Sequence, residues 1–300
     1  MRIKAIINPV AGKRSTQKKV RHLLERLIQE QMLDSADIYY TQADDSATAV
    51  YDEVAGLDAT RYDLVLAAGG DGTLHSVVNA VLQNRKELPL AIYPAGTVND
   101  FSIYLKSPRK VEAFVAMIKT FKRKRVDAGL RGDTYFLNVL AGGIMADVCY
   151  TVPQRLKHRF GKLAYYVASV KQIPRLFRGY HFTITYDGKE TSMKGLLFIV
   201  ANSNCVGGFR RVAPRACTQD GLLDLLVIGK ANPFSLAFVF LKLLAGRIVN
   251  GKQLLYVQAK EISVIETNGQ TVSVDMDGEH AGKTPCEIKL VPAALEVIIP

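Results

Sequence analysis

The chain has 300 residues, with 39 Lys and Arg against 28 Asp and Glu for a formal net charge of +11, and 48% of its residues are hydrophobic. That apolar share supplies ample core for one large domain or two, and the excess of cations points to an anionic partner such as a nucleotide, a nucleic acid or an anionic lipid surface. Cys149, Cys205, Cys217 and Cys286 include no Cys-x-x-Cys pair, so they indicate neither a zinc site nor a disulfide framework and fit a reducing cytoplasm. No stretch reaches the ~20 apolar residues of a membrane-spanning helix. The nearest, Phe234 to Ala245, is short and contains Lys242. Met1 leads directly into an apolar strand pattern rather than a basic and then apolar leader, so the expectation is a soluble protein that can still meet a membrane.

Arg2 to Ile7 reads as a buried strand that ends in Asn8-Pro9-Val10-Ala11-Gly12-Lys13, and Val20, Leu23, Leu24, Leu27 and Ile28 then mark a helix. Lys13 and Arg14 before that helix suit phosphate or a solvated basic turn, and the spacing is not that of a Walker A loop. Ile38 to Thr41 reads as a short strand and Ser46 to Ala55 as a helix with Ser46 as its cap. Tyr62 to Ala68 lacks polar alternation after Asp63, as a strand covered on both faces does. It stops at Gly69-Gly70-Asp71-Gly72-Thr73, after which Leu74, Val77, Val78, Val81 and Leu82 give one buried helix face.

This turn lies at the amino end of a helix, where backbone N–H groups lack partners and the dipole favours an anion. Its glycines let the backbone approach a ligand, and Thr73 adds a hydroxyl. A carboxylate beside phosphate repels it unless a cation bridges the two, so Asp71 reads either as a Mg²⁺ ligand shared with a polyphosphate or as a helix cap. Leu88 to Tyr93 is a further strand ending in Pro94-Ala95-Gly96-Thr97-Val98-Asn99-Asp100-Phe101. Alternating strands and helices predict a mostly parallel sheet, with the loops at Asn8, Thr41, Gly69 and Gly96 leaving one edge.

Lys110 to Phe121 reads as a helix, and Lys122 to Gly129 as a domain boundary. Beyond it, short strands at Thr134–Leu140, His181–Tyr186, Met193–Ala201, Leu222–Ile228, Glu261–Glu266, Thr271–Met276, Cys286–Val291 and Leu295–Ile299, with turns at Asp187-Gly188 and Asn268-Gly269, predict an antiparallel β-sandwich. Arg155 to Tyr180 mixes seven cations and one histidine with apolar residues, a pattern suited to an anionic bilayer or to a core helix with a solvated basic face.

Gly69 to Thr73 with Pro94-Ala95-Gly96-Thr97-x-Asn99-Asp100-Phe101 resembles the diacylglycerol kinase catalytic-domain family, in its bacterial soluble lipid-kinase branch. The resemblance continues through Asn8-Pro9-x-Ala11-Gly12, Val126-Asp127, Gly207-Gly208, Asp220-Gly221-Leu222-Leu223-Asp224 and Asp277-Gly278-Glu279. It implies an α/β, phosphofructokinase-like nucleotide domain over residues 1–128, with 293–300 returning to it as the last strand, and a β-sandwich lipid-substrate domain over 129–292. It further implies ATP and Mg²⁺ as cofactors and transfer of the γ-phosphate of ATP to a lipid hydroxyl, such as that of diacylglycerol, in a cleft between the domains.

By the same resemblance Asn8, Lys13, Thr41, Gly69, Gly70, Asp71, Gly72, Thr73 and Thr97 would line the nucleotide. Asp71, Asp100 and Asp127 would form an acidic network around the catalytic Mg²⁺, and Glu279 would be the base. Asp220, with the carbonyls of Cys217 and Leu222, would hold a structural Mg²⁺. Asp277-Gly278 also reads as a plain hairpin turn. The sequence departs from the family at Ser76, where Glu is common, and at Val98, where a small residue is.

The partner implied is a lipid at an anionic membrane surface, met transiently at the inner face by a cytoplasmic protein; a homodimer is left open and no nucleic acid is expected, since no recognition module is present. NAD kinase shares the Gly-Gly-Asp-Gly loop and is the rival reading, although no Asn-Glu pair stands where its substrate motif would. A non-catalytic nucleotide- or membrane-binding protein on the same scaffold is the alternative from another class.

Overall fold

The computed structural model describes residues 1–12, 16–42, 47–144, 179–245 and 250–300. Lys13, the capping position Ser46, Cys149 and the basic segment up to residue 178 lie outside the described residues. The chain divides into two units: residues 1–128, 133–137 and 291–300 form the first, and 129–132 with 138–290 the second.

The first unit begins with β1 (Arg2–Ile7), α1 (Thr16–Gln29), β2 (Ser35–Tyr40), α2 (Ala47–Ala55), β3 (Leu64–Gly69), α3 (Asp71–Gln83), β4 (Leu90–Pro94), α4 (Asp100–Leu105) and α5 (Val111–Thr120). β1 pairs in parallel with β2 and β3, and β3 with β4. β1, β3 and β4 are buried on both faces because their side chains alternate between two cores, whereas β2 is largely exposed. Ile6, Val65, Ala67, Leu90 and Ile92 join Val50, Val54, Val77 and Val81 of α2 and α3. Ile3, Ile7, Leu64, Leu66, Ala91 and Tyr93 join Val20, Leu23, Leu27, Phe114 and Ile118 of α1 and α5. The result is the three-layer arrangement expected of continuous apolar strands.

β1 also carries a buried cation. Lys4 is 2% exposed and its Nζ meets Asp37 at 2.9 Å and Glu53 more closely still. Burial pulls the Lys4 amine down, but hydrogen bonds and charge from Glu53 and Asp37 outweigh it and leave the pKa above its ordinary 10.5. Hydrogen bonds from Lys4 and Tyr62 hold Asp37 below its ordinary 3.8. The signs follow: the Lys4 contribution is present below pH 10.5 and lost as pH rises through the folded value. The Asp37 contribution is present above pH 3.8 and lost as pH falls through its folded value. Asp37 is half exposed, so Asp37→Asn is expected to cost about 1 kcal/mol at neutral pH. Urea denaturation from pH 3 to 8 checks this: the gap between variant and wild type should close below pH 3.8, and a constant gap would contradict it.

β5 (Lys122–Arg131) occupies the stretch that reads as a boundary in the sequence. Its basic start is exposed, but Val126 and Ala128 enter the first core, so burial overrides the charge run. β6 (Thr134–Phe136) and β7 (Val139–Gly143) replace the single strand expected over Thr134 to Leu140.

The second unit continues with β8 (Tyr180–Tyr186), β9 (Lys189–Ala201), β10 (Cys205–Val206), β11 (Phe209–Arg210), β12 (Leu223–Gly229), α6 (Pro233–Leu244), β13 (Leu254–Ala259), β14 (Glu261–Glu266), β15 (Ser273–Met276), β16 (Glu279–Lys283) and the start of β17 (Cys286–Ile299), whose residues from 291 on belong to the first unit. β9 passes between neighbours: Lys189–Gly195 pairs with β8, and Gly195–Ala201 with β12 on one edge and, from Leu197, with β7 on the other. Gly195 sits at that handover, where a Cβ would lie 2.9 Å from the Phe182 ring and 3.1 Å from Val227. β14 pairs with β8 and β17, and β15 with β7 and β16, all antiparallel, which makes the β-sandwich-like half. β17 is one strand rather than the two expected: Cys286–Lys289 pairs with β14, while Val297 pairs in parallel with Leu90 of β4.

Candidate active site

Three loops of the first unit interlock at the carboxyl ends of β1, β3 and β4. Ala95 and Gly96 N–H donate to the Gly69 carbonyl at 2.8 and 3.2 Å, Asn8 N–H donates to Ala68 O at 2.9 Å, and the Asn8 amide donates to Thr73 Oγ1 at 3.2 Å. Glycine is required by close approach. A Cβ on Gly96 would stand 2.5 Å from the Gly70 Cα, and one on Gly12, whose φ is +62°, would stand 2.4 Å from the Ala95 carbonyl oxygen. Such a backbone-lined cradle at the start of α3 suits an anion.

Asp71 is the first residue of α3, yet it caps a different helix. Its carboxylate accepts the N–H of Asn99 at 2.9 Å and of Asp100 at 3.1 Å, at the start of α4. Asn99 adopts φ +55°, and its side-chain oxygen accepts Gly96 N–H at 3.0 Å. Sequence reasoning noticed Asn99 only as part of a motif; the left-handed backbone that makes Asn suitable here is a property of the folded loop. Asp71 therefore ties the Gly69 loop to the Gly96 loop.

Asp100 is buried at the start of α4. Asp127, also buried, accepts Ala293 N–H at 2.7 Å, where β17 bends through φ +47°. Among the described residues no three His, Cys, Asp or Glu side chains gather closely enough to hold a metal. Mg²⁺ commonly uses one or two carboxylates and takes its remaining ligands from water and phosphate, which the Asp71 setting fits better than an all-protein cage of three aspartates. Thr41 is buried, its N–H bonded to Ile7 O at 2.9 Å, whereas Thr97 is exposed. Ser76, the family departure, turns its hydroxyl back onto the Gly72 carbonyl at 3.1 Å.

Asn79 was missed from the sequence. Its side chain donates to the His75 and Tyr135 carbonyls, both at 2.9 Å, and accepts Tyr135 N–H at 2.7 Å, fastening α3 to β6. Its position on the inner helical face beside valines was the available signal.

In the second unit Asp277-Gly278 is a hairpin turn with φ of +52° and +93° at its two residues. The turn also presents Glu279, exposed, as the first residue of β16, so turn and chemistry are compatible. Asp277 Oδ1 accepts the N–H of Asn138 at 3.0 Å and of Val139 at 2.8 Å. Arg131 holds the other end of β16 through the carbonyls of Ala281 and of Lys283, the latter at 2.6 Å.

Asp220 is exposed; its Oδ1 accepts Leu222 N–H at 3.1 Å, and its own N–H reaches the Cys217 carbonyl at 3.5 Å. Gln258 donates to Asp220 at 3.5 Å and to Asp224 at 3.3 Å. Asp224 is fully buried against the Tyr256 hydroxyl, and burial pushes its carboxyl up to about 6 despite those hydrogen bonds. Among the described residues Cys205, Cys217 and Cys286 form no disulfide.

Residues 2–130 match the family model of the diacylglycerol kinase catalytic domain, and residues 138–299 match that of the YegS C-terminal NAD kinase beta sandwich-like domain. A diacylglycerol kinase of Bacillus subtilis (strain 168) is 32% identical, with 100% of this chain and 96% of the relative covered. One from Staphylococcus haemolyticus (strain JCSC1435) is 31% identical over 98% of this chain and 87% of the relative. A crystal structure from Bacillus anthracis str. Sterne superposes with a TM-score of 0.83 at 25% identity, covering 100% of this chain and 95% of the other. The interlocked glycine loops, the parallel three-layer unit and the sandwich-like half therefore occur in a chain that belongs to the diacylglycerol kinase catalytic-domain family and is a lipid kinase.

Proposed function

We propose that the protein transfers the γ-phosphate of ATP to the hydroxyl of a diacylglycerol-like lipid. The observation that carries this reading is the Asp71 carboxylate, fixed on the Asn99 and Asp100 N–H groups beside the glycine cradle. The start of α3 and the Asn8, Gly69 to Thr73, Thr41 and Thr97 loops bind the nucleotide, with Lys13 adding charge. Bound Mg²⁺ supplies charge neutralisation for the phosphoryl group. Asp71 is its protein ligand, and Asp100 and Asp127 keep that carboxylate's loop and the adjoining strand in register. Glu279 accepts the proton of the lipid hydroxyl as its oxygen attacks the γ-phosphorus, and the bond to the β–γ bridging oxygen breaks to release ADP. The names of the curated relatives favour diacylglycerol over NAD as acceptor.

Asp220, with the carbonyls of Cys217 and Leu222, holds a second, structural Mg²⁺. Support comes from two aspartates sharing one glutamine amide, an arrangement a cation relieves. Chelation is expected to lower the wild-type melting temperature by about 3 °C and to leave Asp220→Ala unmoved. An equal drop in both would remove Asp220 from the site.

The test of the main reading is a transfer assay with labelled ATP, Mg²⁺ and vesicles containing diacylglycerol, beside a parallel reaction containing NAD. Label in the lipid extract supports the reading. Label in NAD alone, or in neither, overturns it.

A further inference from the structure

Asn232 and Pro233 start α6 cleanly, the Asn232 side chain accepting Ser235 N–H at 2.8 Å. The helix has two apolar faces. Val239 and Leu243 enter the core with Ile199, Leu226 and Tyr256. Phe234, Phe238 and Leu241 follow at i, i+4 and i+7, within about 60° of one another around the axis and opposite the buried pair. They are 88%, 58% and 63% exposed, and Phe234 and Leu241 are the two most exposed of the large hydrophobics among the described residues. Among the described residues no core cluster takes in this second stripe.

The charge around it is one-sided. From Leu225 to Ala259 the sequence contains no acidic residue, while Lys230, Lys242 and Lys252 fall within it. Lys230 and Lys252 are exposed, and Lys242 Nζ lies 4.3 Å from the centroid of the Phe238 ring, beside the stripe. An apolar ridge edged by cations is complementary to a surface with an oily interior and negative headgroups. At 12 residues α6 is about 18 Å long against the ~30 Å of a hydrocarbon core, so it lies on a bilayer rather than across it.

We infer that α6 is a membrane-docking helix, which inserts Phe234, Phe238 and Leu241 into the interface of an anionic bilayer while the lysines meet its headgroups. The inference takes from the proposed function only that the acceptor is a lipid. It places the docking element outside the basic segment of residues 155–180 to which the sequence drew attention.

Phe234→Trp places the only indole of the chain on this face, since the sequence contains no tryptophan. Vesicles of phosphatidylglycerol and phosphatidylcholine are expected to shift its emission to the blue, brominated acyl chains to quench it, and pure phosphatidylcholine to do much less. Emission that is unmoved and unquenched overturns the inference. In the full chain, replacing Phe234, Phe238 and Leu241 together by Ser is expected to weaken co-sedimentation with the anionic vesicles by at least ~10-fold. The circular dichroism melt and the phosphorylation of a water-dispersed short-chain diacylglycerol should be unchanged. Vesicle binding equal to wild type, with or without a dimer-to-monomer change in sedimentation velocity, overturns the inference; with that change the stripe is a contact between copies of the chain. Binding is read without ATP, so a chain that docks but transfers no phosphate sinks only the proposed function. One that phosphorylates the short-chain lipid but does not dock sinks only this inference.

Discussion

Asp71→Asn is expected to lower kcat by about a thousandfold, the loss found when a preorganised electrostatic group is removed from a reacting centre. Two effects combine. The amide loses the charge proposed to hold Mg²⁺. It also keeps only one oxygen for two donors, so its NH₂ must face the N–H of Asn99 or Asp100. That mismatch costs about 1–3 kcal/mol of stability and loosens the tie between the Gly69 and Gly96 loops. Steady-state kinetics with ATP and diacylglycerol vesicles, together with chemical denaturation, separate the two. A variant within tenfold of wild-type kcat would remove Asp71 from the chemistry, whatever its stability. Asp71→Glu keeps the charge but lengthens the side chain by one methylene, so it should recover stability only in part.

Glu279→Gln is expected to lower kcat by about 10²- to 10⁴-fold, the range for loss of a positioned general base, with little change in ATP binding or melting temperature. The side chain is exposed at the start of β16 and is not what holds the hairpin. The hairpin is held by the Asp277 bonds to Asn138 and Val139 and by Arg131 on the carbonyls of β16. Asp277→Ala is the contrasting variant: it loses two hydrogen bonds and a residue tolerant of φ +52°, so it should melt at a clearly lower temperature. Calorimetric ATP titration beside the transfer assay tells them apart. If Glu279→Gln retained more than a tenth of wild-type kcat, the base would have to be sought elsewhere.

Much of the first unit was legible because its physics is local. Strands buried on both faces are continuous apolar runs, as at Leu64–Gly69, and helices against them repeat at three and four residues, as in α3. Errors arose where tertiary burial outweighed local signals. The charge run Lys122 to Arg125 conceals a strand, which Val126 and Ala128 anchor in the core. β17 reads as two strands because Pro292 and Ala293 interrupt it, and the Asp127 bond to Ala293 N–H keeps the bend within one. The six residues of helix α4 are too few to announce a helical period.

The sequence by itself determined the fold class, the family and the identity of the glycine and aspartate loops, since these rest on residue type and spacing along the chain. Only the tertiary structure decided what those residues do to one another. Asp71 caps α4 rather than its own helix, Gly96 is glycine because Gly70 lies against it, Asn79 fastens β6, and Phe234, Phe238 and Leu241 of α6 stay exposed. Each is a contact, or the lack of one, between segments far apart in the chain, and pairwise proximity of that kind has no periodicity to read.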